Sequence, residues 1–372
     1  MRSFLRSRRA RWAVPAVTAV ALGAAIGGGT LLAGASSPDL PDKTPAELLA
    51  DVHDAEPQPF SGTIVQTSRL GLPELPGVDG EHDTTSLLSM LTGSHTARVW
   101  YTSPTQARFA LMDSFDEVNV IRNGTDVWLW TSSTNTAEHL QVPATLDGTD
   151  RPELPRGPAT PQQAAERALA ALDASTEVTV PGTTEVADRA AYELVISPRD
   201  DRSLIADIRL AVDAETSMPL RFEVNARGAQ DPAVEVGFTS VTFAEPSPDV
   251  YRFNPPPGAT VEERSLGELM AKGMQRRPGE HAPGGEHAPG GRPTVVGEDW
   301  TSVLVVPDVE LPDEAADSPL ADALLASGTA VSGEYGSGTL FETALVSALW
   351  LDDGTLLVGA VTPDVLEEAA SR

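Results

Sequence analysis

Six histidines and an excess of carboxylates are the side chains of this chain that could do chemistry. His139 lies within a predicted strand, where a structural role is favoured over that of a general base. Ser337, in Gly336-Ser337-Gly338, lacks the spacing of a nucleophile elbow, and we expect no strand before it. The sequence contains no Walker loop, no HExxH zinc motif and no EF-hand loop. We therefore expect no catalytic residue and no enzyme.

A hexapeptide, EHAPGG, occurs twice in succession at residues 280–291. It places His281 and His287 beside glutamates, and both residue types ligate metals. Glycine and proline prevent a preorganised site, and two imidazoles on a flexible segment bind metal weakly. We therefore predict a linker here, with no bound metal and no cofactor.

Large apolar side chains form a more informative pattern. Residues 94–143 are typical of a β-meander, with short runs of strand-forming residues separated by turn residues. Side chains alternate along a strand, so Trp128 and Trp130 share one face. We assign Phe109 and Leu111 to opposite faces, which gives both faces large apolar groups. Such tryptophans fit either a ligand cavity or a packed sheet core.

Residues 70–93 separate a predicted strand, 60–68, from the meander. This insertion is too long for a hairpin loop and holds a predicted short helix at 84–91. It fits either a lid over the sheet or an ordinary packing helix. The predicted ligand-binding residues are apolar and come from this helix and the meander: Leu87, Leu88, Leu91, Trp100, Phe109, Leu111, Trp128 and Trp130.

The composition of the 372-residue chain excludes several classes of partner and site. Its 54 acidic and 26 basic residues give a net charge of −28. Such a chain repels nucleic acid, so we expect no nucleic-acid partner. Cysteine is absent, which excludes disulfides, thiolate metal sites and a lipid-modified cysteine. Scarce lysine beside abundant alanine, glycine and proline is typical of a high-GC bacterial genome.

Residues 1–35 are typical of an export segment. Five arginines precede an uncharged, apolar run at 12–35 that ends in Ala33-Gly34-Ala35. The run fits a signal peptide cleaved after Ala35, and it is also long enough for a transmembrane anchor. Both alternatives place the rest of the chain outside the cytoplasmic membrane, secreted or anchored.

Predicted helices and strands follow one another in a regular order. Thr44 and Glu47 predict a capping box at a helix over 44–55, with Pro45 as its first residue. The other predicted elements before the linker are helices at 161–172 and 261–274 and strands at 191–197, 205–213, 220–226 and 233–243.

Four short segments carry a resemblance to a known family. They are Asn123-Gly124-Thr125-Asp126-Val127-Trp128, Asn135-Thr136, residues 213–221 (DAETSMPLR) and residues 253–258 (FNPPPG). Their order and spacing, together with the elements around them, resemble the LolA/RseB-like superfamily of extracytoplasmic lipid- and lipoprotein-binding proteins. The resemblance covers roughly residues 44–262. The chain departs from surface-anchored members in having no lipobox cysteine, and its C-terminal part exceeds the plain carrier fold.

The resemblance implies an α+β fold. Its main body is a strongly curved, half-open, β-barrel-like antiparallel sheet wrapped over helices, with an apolar cavity for acyl chains. A sheet with two apolar faces is compatible with both packing on helices and enclosing a cavity.

The chain is expected to contain four parts. These are an export segment (1–35), a lipid-binding domain (36–262), a short helix and linker (263–293), and a small C-terminal α+β module (294–372). In the module we predict a strand at 300–306, a helix at 319–326, a hairpin of 342–351 with 355–361, and a last helix capped by Thr362. The apolar segment 344–350 is expected to pair with the first domain, because so small a module has a marginal core.

The resulting hypothesis is a non-catalytic extracytoplasmic protein that binds the acyl part of a lipid or lipoprotein in an apolar cavity, as a LolA-like carrier does. The first alternative is an RseB-like sensor that binds an anti-sigma factor or another membrane-bound protein. The second is a secreted hydrolase. Acyl chains, and under the first alternative a membrane-bound protein, are the expected partners.

Overall fold

The computed structural model of the chain describes residues 38–72, 93–112, 116–142, 175–265, 292–309 and 326–372. The export segment, the predicted helices at 84–91 and 161–172, and the EHAPGG repeats lie outside these residues. So do Leu87, Leu88 and Leu91 of the predicted binding set, and nearly all of the helix predicted at 319–326.

The first described helix, α1 (Pro45–Asp54), has the predicted capping box. The Thr44 amide donates to Glu47 Oε2 at 2.8 Å, and the Glu47 amide donates to Thr44 Oγ1 at 3.3 Å. These two bonds satisfy amides that a helix start leaves without partners. The bond from the Thr44 amide, together with one that Thr44 Oγ1 donates to the same carboxylate oxygen at 2.7 Å, lowers the pKa of the Glu47 carboxyl. Leu48 is completely buried and joins α1 to the main core.

The main body is a large, curved, unclosed sheet of twelve strands, as the sequence predicted. Its spatial order is β12-β6-β5-β4-β3-β2-β1-β11-β10-β9-β8-β7. Its strands are β1 (Phe60–Ser68), β2 (Ser94–Ser103), β3 (Gln106–Met112), β4 (Glu117–Asn123), β5 (Asp126–Thr131), β6 (Thr136–Gln141), β7 (Thr176–Val186), β8 (Arg189–Pro198), β9 (Ile205–Asp213), β10 (Pro219–Ala226), β11 (Val234–Thr242) and β12 (Thr260–Arg264). The predicted meander is confirmed as β2 to β6, and Gly124 turns the β4–β5 hairpin with φ of 65°.

Strand register divides the sheet into two faces. The tryptophan face is defined by Trp100, Arg108, Ile121, Trp128 and His139, which lie side by side on β2 to β6. The helix face is the opposite one, and α1 packs on it. Across the meander it carries a row made of Val99, Phe109, Val120 and Leu129. On the far strands it carries Leu194, Leu210, Phe222 and Val236.

The prediction that Phe109 and Leu111 lie on opposite faces is wrong. Residues two apart in a strand point to the same side. Both side chains lie on the helix face, where Phe109 packs against the cluster that contains Leu111. The helix face is therefore more uniformly apolar than the sequence interpretation implied.

Two strands of the main sheet lie where none was predicted, as do β13 (Thr294–Val296), β15 (Thr329–Gly333) and β16 (Gly336–Glu342) of the C-terminal part. β7 forms one edge of the sheet, and Pro181-Gly182 in its middle, at a register shift, hides its strand pattern. β12 forms the other edge and pairs parallel to β6, although a helix was predicted to begin at residue 261. Val261, the first residue of that predicted helix, is 47% exposed on this edge. β12 also runs through residue 262, the predicted domain boundary.

The C-terminal part forms a second, six-stranded antiparallel sheet, in the order β13-β14-β18-β17-β16-β15. Its elements are β13 (Thr294–Val296), β14 (Val303–Val306), β15 (Thr329–Gly333), β16 (Gly336–Glu342), β17 (Ser347–Leu351), β18 (Leu356–Gly359) and α2 (Pro363–Ala370). A short 3-10 helix occurs within this part at Asp299–Thr301, and another occurs between β11 and β12 at Pro248–Tyr251. The predicted last helix is confirmed as α2; Thr362 occupies its N-cap position, but its side chain makes no capping hydrogen bond. It packs on one face of this sheet through Val365, Leu366 and Ala369.

The two sheets meet through a turn rather than through the predicted pairing of segment 344–350. Residues 343–346 form a turn before β17, and β17 pairs within its own sheet. From this turn the Ala344 amide donates to the Leu70 carbonyl at 2.8 Å, and Leu345 is 1% exposed within the main core. A bridge between Ser203 and Val361 adds a second attachment. The turn therefore attaches to the first sheet through a backbone hydrogen bond and a buried apolar side chain.

Candidate functional site

The predicted ligand-binding residues within the described part of the chain are divided between the two faces of the sheet. Trp100, Trp128 and Trp130 lie on the tryptophan face, whereas Phe109 and Leu111 lie on the helix face. A sheet separates its two faces completely, so these five side chains do not line one surface. Which face is open to a ligand depends on what covers each of them.

The tryptophan face is covered by the segment that follows β11. The Phe253 ring lies 5.3 Å from the Trp128 ring and 6.4 Å from the Trp130 ring, both in tilted contact. The Tyr251 hydroxyl shares a hydrogen bond of 2.9 Å with Thr102 Oγ1, and burial raises the pKa of Tyr251. These contacts partly cover Trp128 and Trp130, which are half-buried.

Arg108 of β3 binds the segment that follows β11. Its guanidinium lies 5.3 Å from the centre of the Trp100 ring and donates to the Val250 carbonyl at 3.2 Å. It also donates twice to Asn119 Oδ1, at 3.0 and 2.8 Å. The arginine thereby satisfies a buried amide and holds the covering segment in place.

His139 has a structural environment. Its ring stacks on Trp128 at 4.2 Å, Nε2 lies 2.9 Å from Asp126 Oδ1, and Nδ1 lies 2.9 Å from Glu263 Oε2. Because each ring nitrogen faces a carboxylate, neither is available to activate a nucleophile or to bind a metal. Glu263 belongs to β12, so the imidazole ties this edge strand to β6.

Other candidates for catalysis and metal binding are no better placed. Ser337 lies within β16, and β15 precedes it, contrary to expectation, but the serine is exposed in a regular ladder rather than on an elbow. Within the described ranges, no group of three His, Cys, Asp or Glu side chains is arranged to hold a metal ion.

The helix face of the meander is the candidate ligand-binding surface. Phe109 and Leu129 are half-buried, and Val99 and Leu111 are buried beside them. Together with neighbours on adjacent strands they form an apolar floor across β2 to β5, about 14 Å wide at about 4.8 Å per strand. The members of this apolar floor are Ala97, Val99, Phe109, Leu111, Val118, Val120 and Leu129.

Charged residues mark where the apolar floor ends. Glu138 lies beside Leu129 on β6, and Arg264 of β12 donates to its carboxylate at 3.0 Å. Sequence reasoning missed Val99, Val120 and Leu129 because it weighted aromatic size. The available signal was the alternation of residues two apart, which places each of these residues on the Phe109 side.

Two carboxylates on the tryptophan face have perturbed acidities. Burial alone raises the pKa of Asp213, but hydrogen bonds from Arg189 and Thr216 outweigh it and hold the pKa below its ordinary value. Burial also raises the pKa of Glu223, and Arg221, 2.9 Å away, offsets part of that rise. Both groups face away from the apolar floor, so they concern stability rather than binding.

The chain is similar to several solved structures. One is the Pseudomonas aeruginosa MucA/MucB complex, at 16% identity over 87% of this chain and 96% of that one, with a TM-score of 0.40. Another is a LolA superfamily protein from Nitrosomonas europaea, at 11% identity over 57% of this chain and 99% of that one, with a TM-score of 0.22.

A third is a Vibrio parahaemolyticus domain described as a putative outer membrane lipoprotein-sorting protein, at 9% identity over 55% of this chain and 95% of that one, with a TM-score of 0.21. MucB and LolA-superfamily proteins are thus among the solved structures that this chain resembles. No family model matches the chain. No curated protein matches it either.

Among the described residues, no helix is both long and apolar enough to span a membrane.

Proposed function

We propose that this protein is a non-catalytic, extracytoplasmic binding protein that holds the acyl part of a lipid or lipoprotein on the helix face of the meander. The observation that carries the proposal is the apolar floor. It is continuous over four strands, aliphatic apart from Phe109, and bounded by charge at Glu138. An acyl chain requires such a surface and no reactive group.

Binding on this face is driven by burial. Each methylene that leaves water contributes about 0.8 kcal/mol. Ordering the ligand and protein side chains offsets part of that gain, so several methylenes must be covered together. In this proposal the curved sheet wraps over α1 and the other helices and keeps water from the bound chain. Among the described residues, α1 packs through Leu48 on the far strands of the helix face, beside the apolar floor rather than over it.

The proposed location is outside the cytoplasmic membrane. The export segment at 1–35 supports it, whether that segment is cleaved or kept as an anchor. A net charge of −28 keeps the protein surface away from anionic headgroups, which suits a protein that takes up the apolar part of a lipid.

The test compares two neighbouring residues of β5. Leu129→Asn places an amide in the apolar floor, whereas Trp128→Phe changes the opposite face at similar distance along the strand. We expect the wild type, purified without detergent, to carry or take up a fluorescent fatty acid. Leu129→Asn should weaken uptake at least tenfold and Trp128→Phe should leave it within twofold, both measured on protein with a wild-type melting curve.

A wild type that takes up no acyl ligand would refute the proposal. Equal loss in both variants would show that binding is not on the helix face. Native mass spectrometry of protein from its own host, followed by organic extraction, gives an independent answer because a retained lipid adds mass.

A second candidate function is that of a sensor with a membrane-bound protein partner. The contact between the sheets supports it, since Leu345 of the second sheet is buried in the core beneath α1, together with Leu48 and Leu70. Ligand binding on the helix face would then alter the second sheet and the binding of a protein to it. Pull-down from the host membrane with ligand-free and ligand-loaded protein tests this, and equal capture of the same partner would contradict ligand gating.

A further inference from the structure

Three of the four edge strands among the described sheets are protected against the addition of another strand. An edge strand exposes backbone N–H and C=O groups that can pair with a further chain, and charge, proline, bulges or short length prevent this. β7 is interrupted by a register shift at Pro181-Gly182. In β12 three of the five residues are charged. β13 is three residues long and follows Pro293.

β15 is the fourth edge, and it lacks every one of these protective features. Its five residues are uncharged and include no proline, and its register with β16 has no shift. Thr329, Ala330, Ser332 and Gly333 are exposed, and Val331 is half-buried against the core that contains α2. An exposed edge without charge or bulge is a natural site for strand addition.

The hydrogen bonds of β16 identify the backbone groups of β15 that point outward. The Ser337 carbonyl accepts from the Asp352 amide, just after β17, at 3.0 Å, so Ser337 turns its backbone away from β15. Its ladder partner Ser332 is therefore at a non-hydrogen-bonded position and turns its own N–H and C=O outward. Ala330 does the same, since this direction alternates along a strand. Both residues thus offer a donor and an acceptor to a further strand.

We propose that β15 is a dimerisation strand, which pairs antiparallel with β15 of a second copy of this chain about a two-fold axis at Val331. In this register Ala330 of each copy lies opposite Ser332 of the other, and each such pair exchanges two N–H···O bonds. The outward backbone groups of both residues then bond to protein instead of water. The second sheets of the two copies become one continuous sheet.

The side chains of β15 are self-complementary in this register. Val331 meets its own copy across the axis, and paired β-branched side chains stabilise neighbouring strands. Ala330 faces Ser332, and both are small. Glu334, in the turn after β15, lies beside Gly328 of the other copy rather than beside a second carboxylate.

The absence of charge on β15 matters because the whole chain is acidic. A net charge of −28 opposes self-association wherever acidic residues face each other. An uncharged strand is therefore a surface on which two copies can meet. Since no ion pair holds this interface together, added salt should strengthen the dimer by screening the remaining repulsion between the copies.

The first experiment uses the lack of cysteine in this chain, which makes one introduced thiol a specific reporter. Val331→Cys places two thiols at a non-hydrogen-bonded pair, where Cα atoms lie about 4.5 Å apart, within the range for a disulfide. Mild oxidation of the full chain should convert most of this variant into a covalent dimer on a non-reducing gel. Thr329→Cys is the matched control, because it is exposed on the same strand but places the thiols about 13 Å apart along the strands. It should give less than a tenth as much dimer.

The second experiment tests the pairing of residues 330 and 332 by sedimentation velocity. The wild type should form a dimer as its concentration rises. The double variant Ala330→Glu with Ser332→Glu places like charges opposite each other and should weaken the dimer at least tenfold. The double variant Ala330→Glu with Ser332→Lys places opposite charges there and should stay within threefold of the wild type. All three proteins should have the same melting curve, because both positions are exposed.

Each outcome supports or overturns the proposed interface. A wild type that remains a monomer at submillimolar concentration refutes it, and so does a dimer that both double variants retain. Equal loss in the two double variants, or equal cross-linking of Thr329→Cys and Val331→Cys, overturns the antiparallel register. A double variant with an altered melting curve is replaced by Ser332→Pro, which removes an outward N–H that β16 does not use. This variant should weaken the dimer at least tenfold, and an unchanged dimer would again refute the interface.

Discussion

The two faces of the meander differ in what covers them, although both are apolar. The tryptophan face carries the larger rings, and Phe253, Tyr251 and Val250 close it from above. The helix face carries smaller aliphatic side chains beside Phe109, and its middle strands keep half-buried residues. On the helix face Val99 and Phe109 pack against Ile64, Val236 and Phe238 of neighbouring strands.

The tryptophan face of the far strands also holds ion pairs. Arg189 pairs with Asp213 and Glu215 near the β8–β9 end, and its guanidinium lies 4.7 Å from the centre of the Phe243 ring. The comparison therefore sets a face stabilised by aromatic contacts and ion pairs against a face suited to an apolar ligand. Each of the following substitutions tests one side of it.

The largest effect is expected from Asp213→Ala on the tryptophan face. Asp213 is 1% exposed, and removing it leaves the Arg189 guanidinium partly buried without its main partner. Loss of one member of a buried pair costs about 3–5 kcal/mol. Urea unfolding at pH 7 measures this loss. The control, Asp200→Ala, breaks an exposed pair with Arg202 and should cost less than about 1 kcal/mol. Equal losses of stability in the two variants would contradict the expected difference between a buried and an exposed ion pair.

The contribution of Asp213 to the free energy of unfolding depends on pH, and the direction of its pKa shift fixes the sign of that dependence. The pKa of Asp213 is lowered in the folded protein, so its contribution is complete above the unfolded value of about 3.9. That contribution is lost as the pH falls through the lowered folded value. Asp213→Ala should therefore differ most from the wild type at neutral pH and least in strong acid.

The next largest effect is expected from Leu345→Ala, where the second sheet meets the helix face. Leu345 is 1% exposed, and truncation of a buried leucine costs about 2–5 kcal/mol. Its control is Leu356→Ala, a half-buried leucine in the same sheet, which should cost less. Thermal unfolding followed by tryptophan fluorescence gives both values. A smaller loss at Leu345 than at Leu356 would refute a packed contact between the sheets.

An intermediate effect is expected from Phe253→Ala, which uncovers the tryptophan face. Phe253 is half-buried, so the cost should be about 2 kcal/mol, below the range for a fully buried phenylalanine. Tryptophan emission should shift to longer wavelength, while uptake of a fluorescent fatty acid stays unchanged. Phe109→Ala should instead weaken uptake of the fatty acid and leave the tryptophan emission wavelength unchanged. Loss of uptake in Phe253→Ala would place the ligand on the tryptophan face and overturn the comparison.

The smallest effect is expected from Glu223→Gln. Burial raises the folded pKa of Glu223, so its stabilising effect is present below the unfolded value of about 4.3 and is lost as the pH rises through the raised folded value. The glutamine variant should therefore be slightly more stable than the wild type at pH 7 and no more stable at pH 4. Urea midpoints at both values decide the sign; a less stable variant at pH 7 would mean that the Arg221 pair dominates.

Local rules predicted much of this fold. The capping box at Thr44 and Glu47, the meander strands, the Asn123-Gly124 turn and helix α2 all appear where sequence placed them. They depend on residues close together in the chain, whose hydrogen bonds and rotamers can be worked out from neighbours. The edge strands β7 and β12 were missed, because pairing with a distant strand outweighed a weak local pattern.

Local sequence rules also predict only part of the candidate binding surface. Alternation in β1 to β5 assigns every residue to one face or the other, and applied strictly it would have put Phe109 with Leu111 and separated both from the tryptophans. Sequence reasoning had no means to tell that Phe253, 125 positions beyond Trp128, closes one face.

The sequence by itself determined the export segment's pattern, the acidic and cysteine-free composition, the strand and turn order of the meander and the capping box of α1. Each of these follows from composition or from residues within a few positions of one another. Tertiary structure decided the rest. Phe253 on Trp128, Glu263 on His139 and Leu345 in the main core join residues that are far apart in the chain. Such contacts depend on how the sheet curves and which segments return to it, so they follow from the folded chain as a whole and not from local sequence.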